Sequence, residues 1–467
     1  MIVVKNITFQ ILGKIVTVLA TIIGISLITS HFGVEFYGQF IFVVTYITVF
    51  FTFSDWGINS IVVNKLSQQD SISKEYFTKV FVTRVLFAIL MCLFALLALV
   101  MFRFEKNITD SILVGLPMVF GYVLWSTASI IFQTQHNYKL DFLTKIAYSS
   151  FSVGTLFYVL KFTDSLLVIV FTLVIGWSVA GLLSVFFVRK SLELKSFKLD
   201  YNFTKVLLIT SLPVGVSLII NTLLSQADKL IIPNLLDFRQ AGYYGLSYKG
   251  FEFLLVLPTF FVNSIFVLLS KKDYNKLIFE NSIKILIFSS VVLTFISIGF
   301  APNIIKLLSS QDFSSSVIPF QVLAFGLLPF FITALLRHQL VVEGKEKLFF
   351  YIYISSLILN IILNLLLLPA IGIVGASFAT ILAELIVLAL MIKEVNVSVI
   401  TKHNLLYLNK VILVCSLAFL PVVFLTITSV LLKIGVTFIL FMLFSYVFGL
   451  LNQLILMVKS IEEKITN

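Results

Sequence analysis

The sequence predicts an all-α polytopic membrane protein of about fourteen transmembrane helices, and three observations carry that reading. Apolar runs of roughly twenty residues alternate with short polar segments from Ile7 to Met457, and a run of that length crosses ~30 Å of hydrocarbon as a helix. The runs show no period-two alternation, so helices rather than a closed barrel must satisfy the backbone in lipid. The composition agrees, with 60% hydrophobic and 12% charged residues, where soluble domains carry about 25% charged residues.

In order, the spans fall near 8–30, 37–63, 79–101, 111–135, 142–160, 166–188, 206–232, 240–269, 282–300, 317–340, 348–368, 373–392, 407–428 and 434–457. The first contains Lys14 and no small-residue cleavage site follows it, so it reads as a retained helix rather than a signal peptide. The longest polar stretches, Arg189–Lys205 and Ala301–Ser316, are too short to fold as domains. Cys92 and Cys415 sit inside apolar runs and read as small packing residues. No metal spacing or disulfide framework is present, and no cofactor is expected.

The net charge of +11 raises the question of nucleic acid, but its distribution argues for membrane topology instead. The side that holds the N-terminus carries Lys5, Lys65, Lys74, Lys139, Arg189, Lys190, Lys195, Lys198, Lys271, Lys272, Lys276, Lys345, Lys347, Lys393, Lys402 and Lys459. The other side holds only Arg103, Lys106, Lys161, Arg239, Lys306 and Lys433. The positive-inside rule places the first side in the cytoplasm. An even number of spans then leaves both termini there.

The chain also reads as a duplication. Gln133–Lys139 and Gln339–Lys345 each link one helix to the next on the cytoplasmic side, at an offset of 206 residues. The same offset carries Ser149 and Ser150 onto Ser355 and Ser356, and an offset of 207 pairs Tyr37-Gly38 with Tyr244-Gly245. A six-helix repeat keeps its orientation, so the two lobes are related by an axis along the membrane normal. The expected organisation is an N-lobe over 1–200 (spans 1–6), a C-lobe over 201–400 (spans 7–12), and 401–467 holding spans 13 and 14 and a cytoplasmic tail. Two lobes around a cavity can alternate access by rocking.

The segment Asn360–Thr380, with Asn364, Pro369, Gly372, Gly375, Ala376 and Ala379, resembles the helix 11–12 signature of the multidrug/oligosaccharidyl-lipid/polysaccharide exporter superfamily. Within it the chain is similar to the Wzx-type flippases of bacterial surface polysaccharides. Leu212-Pro213, Gln226-Ala227-Asp228-Lys229 and Ala241–Gly245 add to the likeness. Physically, Pro369 lacks a donor and is expected to end helix 11. Gly372 permits the tight turn, and the small residues that follow give helix 12 a close-packing surface. The segment therefore identifies the fold rather than the substrate site.

Ionisable residues within spans are costly and usually face protein or water. Arg84 and Lys145 lie near the expected cytoplasmic interface and can snorkel. Asp55, in Ser54-Asp55-Trp56-Gly57, marks a break in helix 2 and either caps it or pairs with a cation. Arg337 lies in the cytoplasmic half of helix 10 and Glu384 in the middle of helix 12, where it either pairs with a neighbour or titrates. Lys14 lies two turns into helix 1, and Lys249 about three turns into helix 8 with Glu252 at i+3 on the same face. In lipid II flippases, basic residues on helices 1 and 8 line the cavity, and the resemblance implies that role for Lys14 and Lys249. The candidate substrate-binding or gating residues are thus Lys14, Lys249, Glu252, Asp55, Asp228, Arg337 and Glu384.

The resemblance implies a flippase that moves undecaprenyl-diphosphate-linked oligosaccharide repeat units across the bacterial cytoplasmic (inner) membrane for O-antigen or capsule assembly. The chemistry is consistent with this, since a diphosphate in the membrane plane needs a compensating cation and lysine supplies a compact one. Its partners would be that glycan lipid, membrane lipids, a coupling ion (H+ or Na+) and a polysaccharide polymerase, with no nucleic acid. The alternatives are a drug/cation antiporter of the same fold or a lipid II-type flippase. An antiporter needs an acidic pocket, whereas the deep charges of helices 1 and 8 are mainly basic. An intramembrane ligase or polymerase is disfavoured by the short outer loops. No phosphate-binding loop, metal-ligand cluster or nucleophile elbow appears.

Overall fold

Among the residues that the computed structural model describes (2–67, 73–269, 276–309, 312–345, 347–395, 399–424 and 430–466), every long element is a helix and no strand occurs. Lys271 and Lys272, assigned by sequence to an inner loop, lie outside the described residues. The helices run α1 (Ile2–Phe32), α2 (Val34–Asp55), α3 (Ile58–Ser67), α4 (Lys74–Phe102), α5 (Lys106–Gly115), α6 (Pro117–Thr134), α7 (Tyr138–Val159), α8 (Leu166–Val188), α9 (Tyr201–Leu235) and α10 (Phe238–Leu254). They continue as α11 (Val256–Leu269), α12 (Lys276–Gly299), α13 (Ala301–Leu308), α14 (Val317–Ala324), α15 (Leu327–Val342), α16 (Leu348–Ile371), α17 (Ile373–Glu394), α18 (Lys402–Phe424), α19 (Val430–Val447) and α20 (Leu450–Thr466).

Twelve continuous spans among the described residues are long and apolar enough to cross a membrane, and the bent pair α14–α15, with a 47° kink, makes a thirteenth. Helix α7 is as long as its neighbours, at 22 residues, but Lys139, Asp141 and Lys145 make its first turns polar. Several spans are built from two helices. The break between α2 and α3 falls at Trp56 and Gly57, as the sequence led one to expect, with φ of 49° and 71°. Pro117 opens α6 and separates it from α5, because a first-turn proline has no amide to leave unsatisfied.

Two expectations are corrected. Pro369 does not end its helix: α16 continues to Ile371, and the turn is made by Gly372 at φ 64°. The last span, expected to run from 434 to 457, is interrupted at Gly449 (φ 64°), so α19 and α20 are separate helices. Both breaks fall where glycine enters the left-handed region at little cost.

Contacts divide the chain into one unit of Met1–Gly242 with Ser309–Gln311, and a second of Tyr243–Leu308 with Asp312–Asn467. In the first, α8 packs on α6 and α7, α1 lies on α7, and α9 packs on α2. The helices come very close: a Cβ on Gly121 would stand 2.5 Å from the Trp177 oxygen, and one on Gly181 2.7 Å from the Gly121 oxygen. Ser73 caps α4 by accepting the Tyr76 amide at 3.3 Å, and Asp200 caps α9 by accepting the Phe203 amide at 3.0 Å. The Phe203 amide and then the Lys79 ammonium hold the Asp200 carboxyl below the usual carboxylate range. In the second unit, α16 and α17 form a hairpin, α14 and α15 pack on α17, and α12 packs on α15 and α18. There Asn281 of α12 donates to Ser460 of α20 at 2.8 Å.

Candidate functional site

Helix α2 ends on a carboxylate at the negative end of its dipole, an unfavourable place for an anion. Asp55 is stabilised there by Arg84 of α4, whose Nη2 lies 2.7 Å from Asp55 Oδ1 and 2.8 Å from Ser126 Oγ of α6. The Arg84 side chain is fully buried and Asp55 is 14% exposed. Trp56, left-handed next to it, is fixed by a hydrogen bond from its indole nitrogen to the Leu208 carbonyl of α9 at 3.1 Å. Arg84 Nε and Nη1 are buried without a hydrogen-bond partner.

Arg84 therefore does not snorkel. Because Ser73 caps α4 and starts it earlier than the sequence suggested, Arg84 lies ten residues into the helix, about 15 Å along it. Lys145, also expected to snorkel, instead pairs with Asp141 at 2.7 Å, one turn earlier on α7. Around the same helices stands an aromatic group that sequence reasoning did not single out. Trp177 of α8 lies 5.6 Å from Tyr122, 5.9 Å from Trp125 and 4.6 Å from Tyr148, and Phe51 stacks on Tyr122 at 4.6 Å. Its members come from four helices, so no spacing in the sequence signals it.

In the second unit, Lys249 Nζ lies 2.6 Å from Glu252 Oε2 on α10, the i,i+3 pairing that the sequence suggested. Both side chains are partly accessible, at 25% and 41%. A second cluster gathers two more candidates. Glu384 of α17 is buried at 4% exposure, with Oε1 within hydrogen-bonding distance of the Thr333 hydroxyl of α15. Arg337, one turn on from Thr333, lies with its guanidinium 5.6 Å from the centre of the Tyr353 ring of α16. Arg337 Nε and the Tyr353 hydroxyl are buried without hydrogen-bond partners.

The remaining candidates fall elsewhere. Lys14 is on an exposed stretch of α1. Asp228 is buried at 1% on α9 in the first unit, beside Lys229, which bonds Gln226 at 2.8 Å. On the α16–α17 hairpin, Asn360 and Asn364 are fully buried and joined at 2.9 Å through the Asn360 carbonyl, while a Cβ on Gly375 would stand 2.6 Å from the Leu367 oxygen. That segment is a packing surface, as its small residues predict.

The family profile described as polysaccharide biosynthesis protein matches residues 3–270. An uncharacterized membrane protein of Methanocaldococcus jannaschii is 28% identical over 185 residues, 39% of this chain and 44% of that protein. The chain thus spans under half of that relative's length. The fold is similar to the lipid II flippase MurJ in its inward closed conformation, with TM-score 0.75, 15% identity, and 95% of this chain and 98% of that one covered. It is also similar to an inward-facing multidrug resistance MATE family transporter of the MOP superfamily, with TM-score 0.66, 11% identity, and 85% and 94% covered.

Proposed function

Because the chain belongs to the polysaccharide biosynthesis protein family, we propose that it is a flippase moving undecaprenyl-diphosphate-linked oligosaccharide repeat units from the inner to the outer leaflet of the bacterial cytoplasmic membrane. The match over residues 3–270 carries the reading, and the fold of the multidrug/oligosaccharidyl-lipid/polysaccharide exporter superfamily along nearly the whole chain supports it. No covalent bond changes in the process. The lipid tail stays among the helices, the sugar crosses a wet path, and the diphosphate needs a cation at mid-membrane.

Lys249 is the residue proposed to supply that cation. Its ammonium is held by Glu252 at 2.6 Å and its side chain is a quarter exposed, so it is both pre-paired and reachable. An arriving diphosphate would exchange one anionic partner for another, which gates the pair without leaving a bare buried charge. Lys14 is proposed as a further substrate-binding cation, and Asp55 and Asp228 are proposed as gating groups. Membrane lipids, a polysaccharide polymerase and a coupling ion are the proposed partners.

The test is made in the surface-polysaccharide-producing host, with the chain replaced by variants and protein level checked by immunoblot. Lys249→Ala should abolish surface polymer and leave lipid-linked oligosaccharide on the inner leaflet, shielded from an impermeant lectin in right-side-out vesicles. Lys249→Arg should keep partial activity, since the charge remains. Normal polymer in both Lys249→Ala and Lys14→Ala strains would remove these residues from substrate contact. Normal outer-leaflet oligosaccharide in a strain lacking the whole chain would overturn the flippase reading.

A further inference from the structure

We propose that Glu384 is the proton-binding site of the transport cycle, carrying its proton in the arrangement seen here, with Arg337 positioned to receive the carboxylate once that proton leaves. The inference rests on the flippase reading and adds its coupling ion. It starts from the Thr333 hydroxyl, whose Oγ1 lies 3.1 Å from the Phe330 carbonyl and within hydrogen-bonding distance of Glu384 Oε1. A hydroxyl has one proton. If Thr333 gives it to Phe330, its oxygen becomes an acceptor, and only a protonated Glu384 can donate to it. If Glu384 is ionised, Thr333 must turn to it and release Phe330. The two states of the carboxyl thus correspond to two settings of one hydroxyl.

The surroundings favour the protonated setting. Glu384 is buried, and it belongs to none of the ion pairs among the described residues. A carboxylate in such a place with a single hydroxyl donor is expensive, and a neutral acid is not. Within this unit α17 packs on α14, α15 and α16, and Tyr244 of α10 shares a hydrogen bond with Thr380, one turn before Glu384, at 3.2 Å. Helix α14 brings no titratable side chain. Helix α15 brings Arg337, with His338 beside it bonded to the Ala334 carbonyl at 3.0 Å, and α16 brings Tyr353. The charges of α17 itself, Lys393 and Glu394, are at its far end.

Arg337 is the fixed cation that α15 brings to this group, one turn on from the Thr333 that touches Glu384. It rests over Tyr353 instead, 5.6 Å from the ring centre, with Nε unsatisfied. When Glu384 releases its proton to water, the new carboxylate has a partner in waiting. Closing that pair draws α15 toward α17 and pulls Arg337 from Tyr353. Helix α15 is the second half of the bent span, hinged at 47° after Ala324, so protonation is linked to the angle of a whole helix.

Infrared spectroscopy of the purified full-length protein, with Glu384→Gln alongside, tests the proton. The wild-type protein should show the carbonyl band of a protonated carboxyl at neutral pH, fading as pH is raised and missing in Glu384→Gln. Identical bands in the two proteins would overturn the proposal. In the polymer-producing host, Glu384→Gln keeps the hydrogen bond to Thr333 and should reach wild-type protein level, yet reduce surface polymer to the level of the strain lacking the chain. Wild-type polymer in that variant would also overturn the proposal. A wild-type protein that shows the band but moves no lipid-linked oligosaccharide would refute the flippase reading and leave the proton site standing.

Discussion

A guanidinium inside a bundle must find oxygen acceptors, and Arg84 finds one carboxylate and one hydroxyl. Removing one partner of a buried pair leaves the other charge stranded, at a cost of about 3–5 kcal/mol. Arg84→Met should therefore lower the melting temperature of the detergent-solubilised protein well below wild type. Asp55→Asn in the same chain should recover much of the loss, because no bare carboxylate then remains at the α2 terminus. A single variant as stable as wild type would mean that the pair carries no structural load. The charges were legible in the sequence as rare residues inside spans, but their partners were not. Asp55 and Arg84 lie on different helices, as do Glu384 and Thr333, and only tertiary packing decides which meet. Lys249 and Glu252 were legible because their pairing lies within one helix, where a spacing of three residues sets it.

Helices in lipid gain little from burying apolar surface against each other, so close backbone approach does more of the holding. The crossing of α6 and α8 depends on this, with Gly121 and Gly181 each facing the other helix's backbone at distances no side chain tolerates. Gly121→Val or Gly181→Val must push the helices apart and separate Trp177 from Tyr122 and Tyr148. Overpacking of this kind costs about 1–3 kcal/mol or more. Either variant should lose most of its monodisperse peak on size-exclusion chromatography, whereas Gly154→Ala, which meets nothing within 4 Å, should elute as wild type. Equal profiles would show that the α6–α8 contact is looser than these distances require. The sequence signalled the matching device on α17, where Gly375, Ala376, Ser377 and Ala379 cluster within a few residues. It could not signal Gly121 and Gly181, which lie far apart along the chain and become neighbours only on folding. Pro369 misled because a proline removes one bond, the one its amide would make to the Leu365 carbonyl, and does not by itself stop a helix that runs only two residues further.

At the scale of the whole molecule, topology turns on α7. Spans on either side of it are long and apolar enough to cross a membrane, whereas α7 is more polar, with Lys139, Asp141 and Lys145 in its first turns. Three physical points argue for a crossing. Its 22 residues reach about 33 Å at 1.5 Å per residue, enough for the hydrocarbon layer. Lys145 and Asp141 neutralise each other at 2.7 Å, and α7 lies packed on α1 and α8 rather than apart from them. If α7 crosses, the connection around Leu194–Ser196 returns to the side of the N-terminus, the side rich in lysine. A reporter fused after Ser196 should then read cytoplasmic, and so should one after Lys402, where six further spans restore the same side. If α7 only lies along the interface, every later connection changes sides. The fusion after Ser196 then reads periplasmic, with Arg189, Lys190, Lys195 and Lys198 all placed outside. That arrangement contradicts the positive-inside rule at the most basic loop of the chain. A periplasmic signal at Ser196 would therefore remove both the fourteen-span topology and the parallel six-helix repeat built on it, since two lobes separated by an odd number of crossings would have to be inverted.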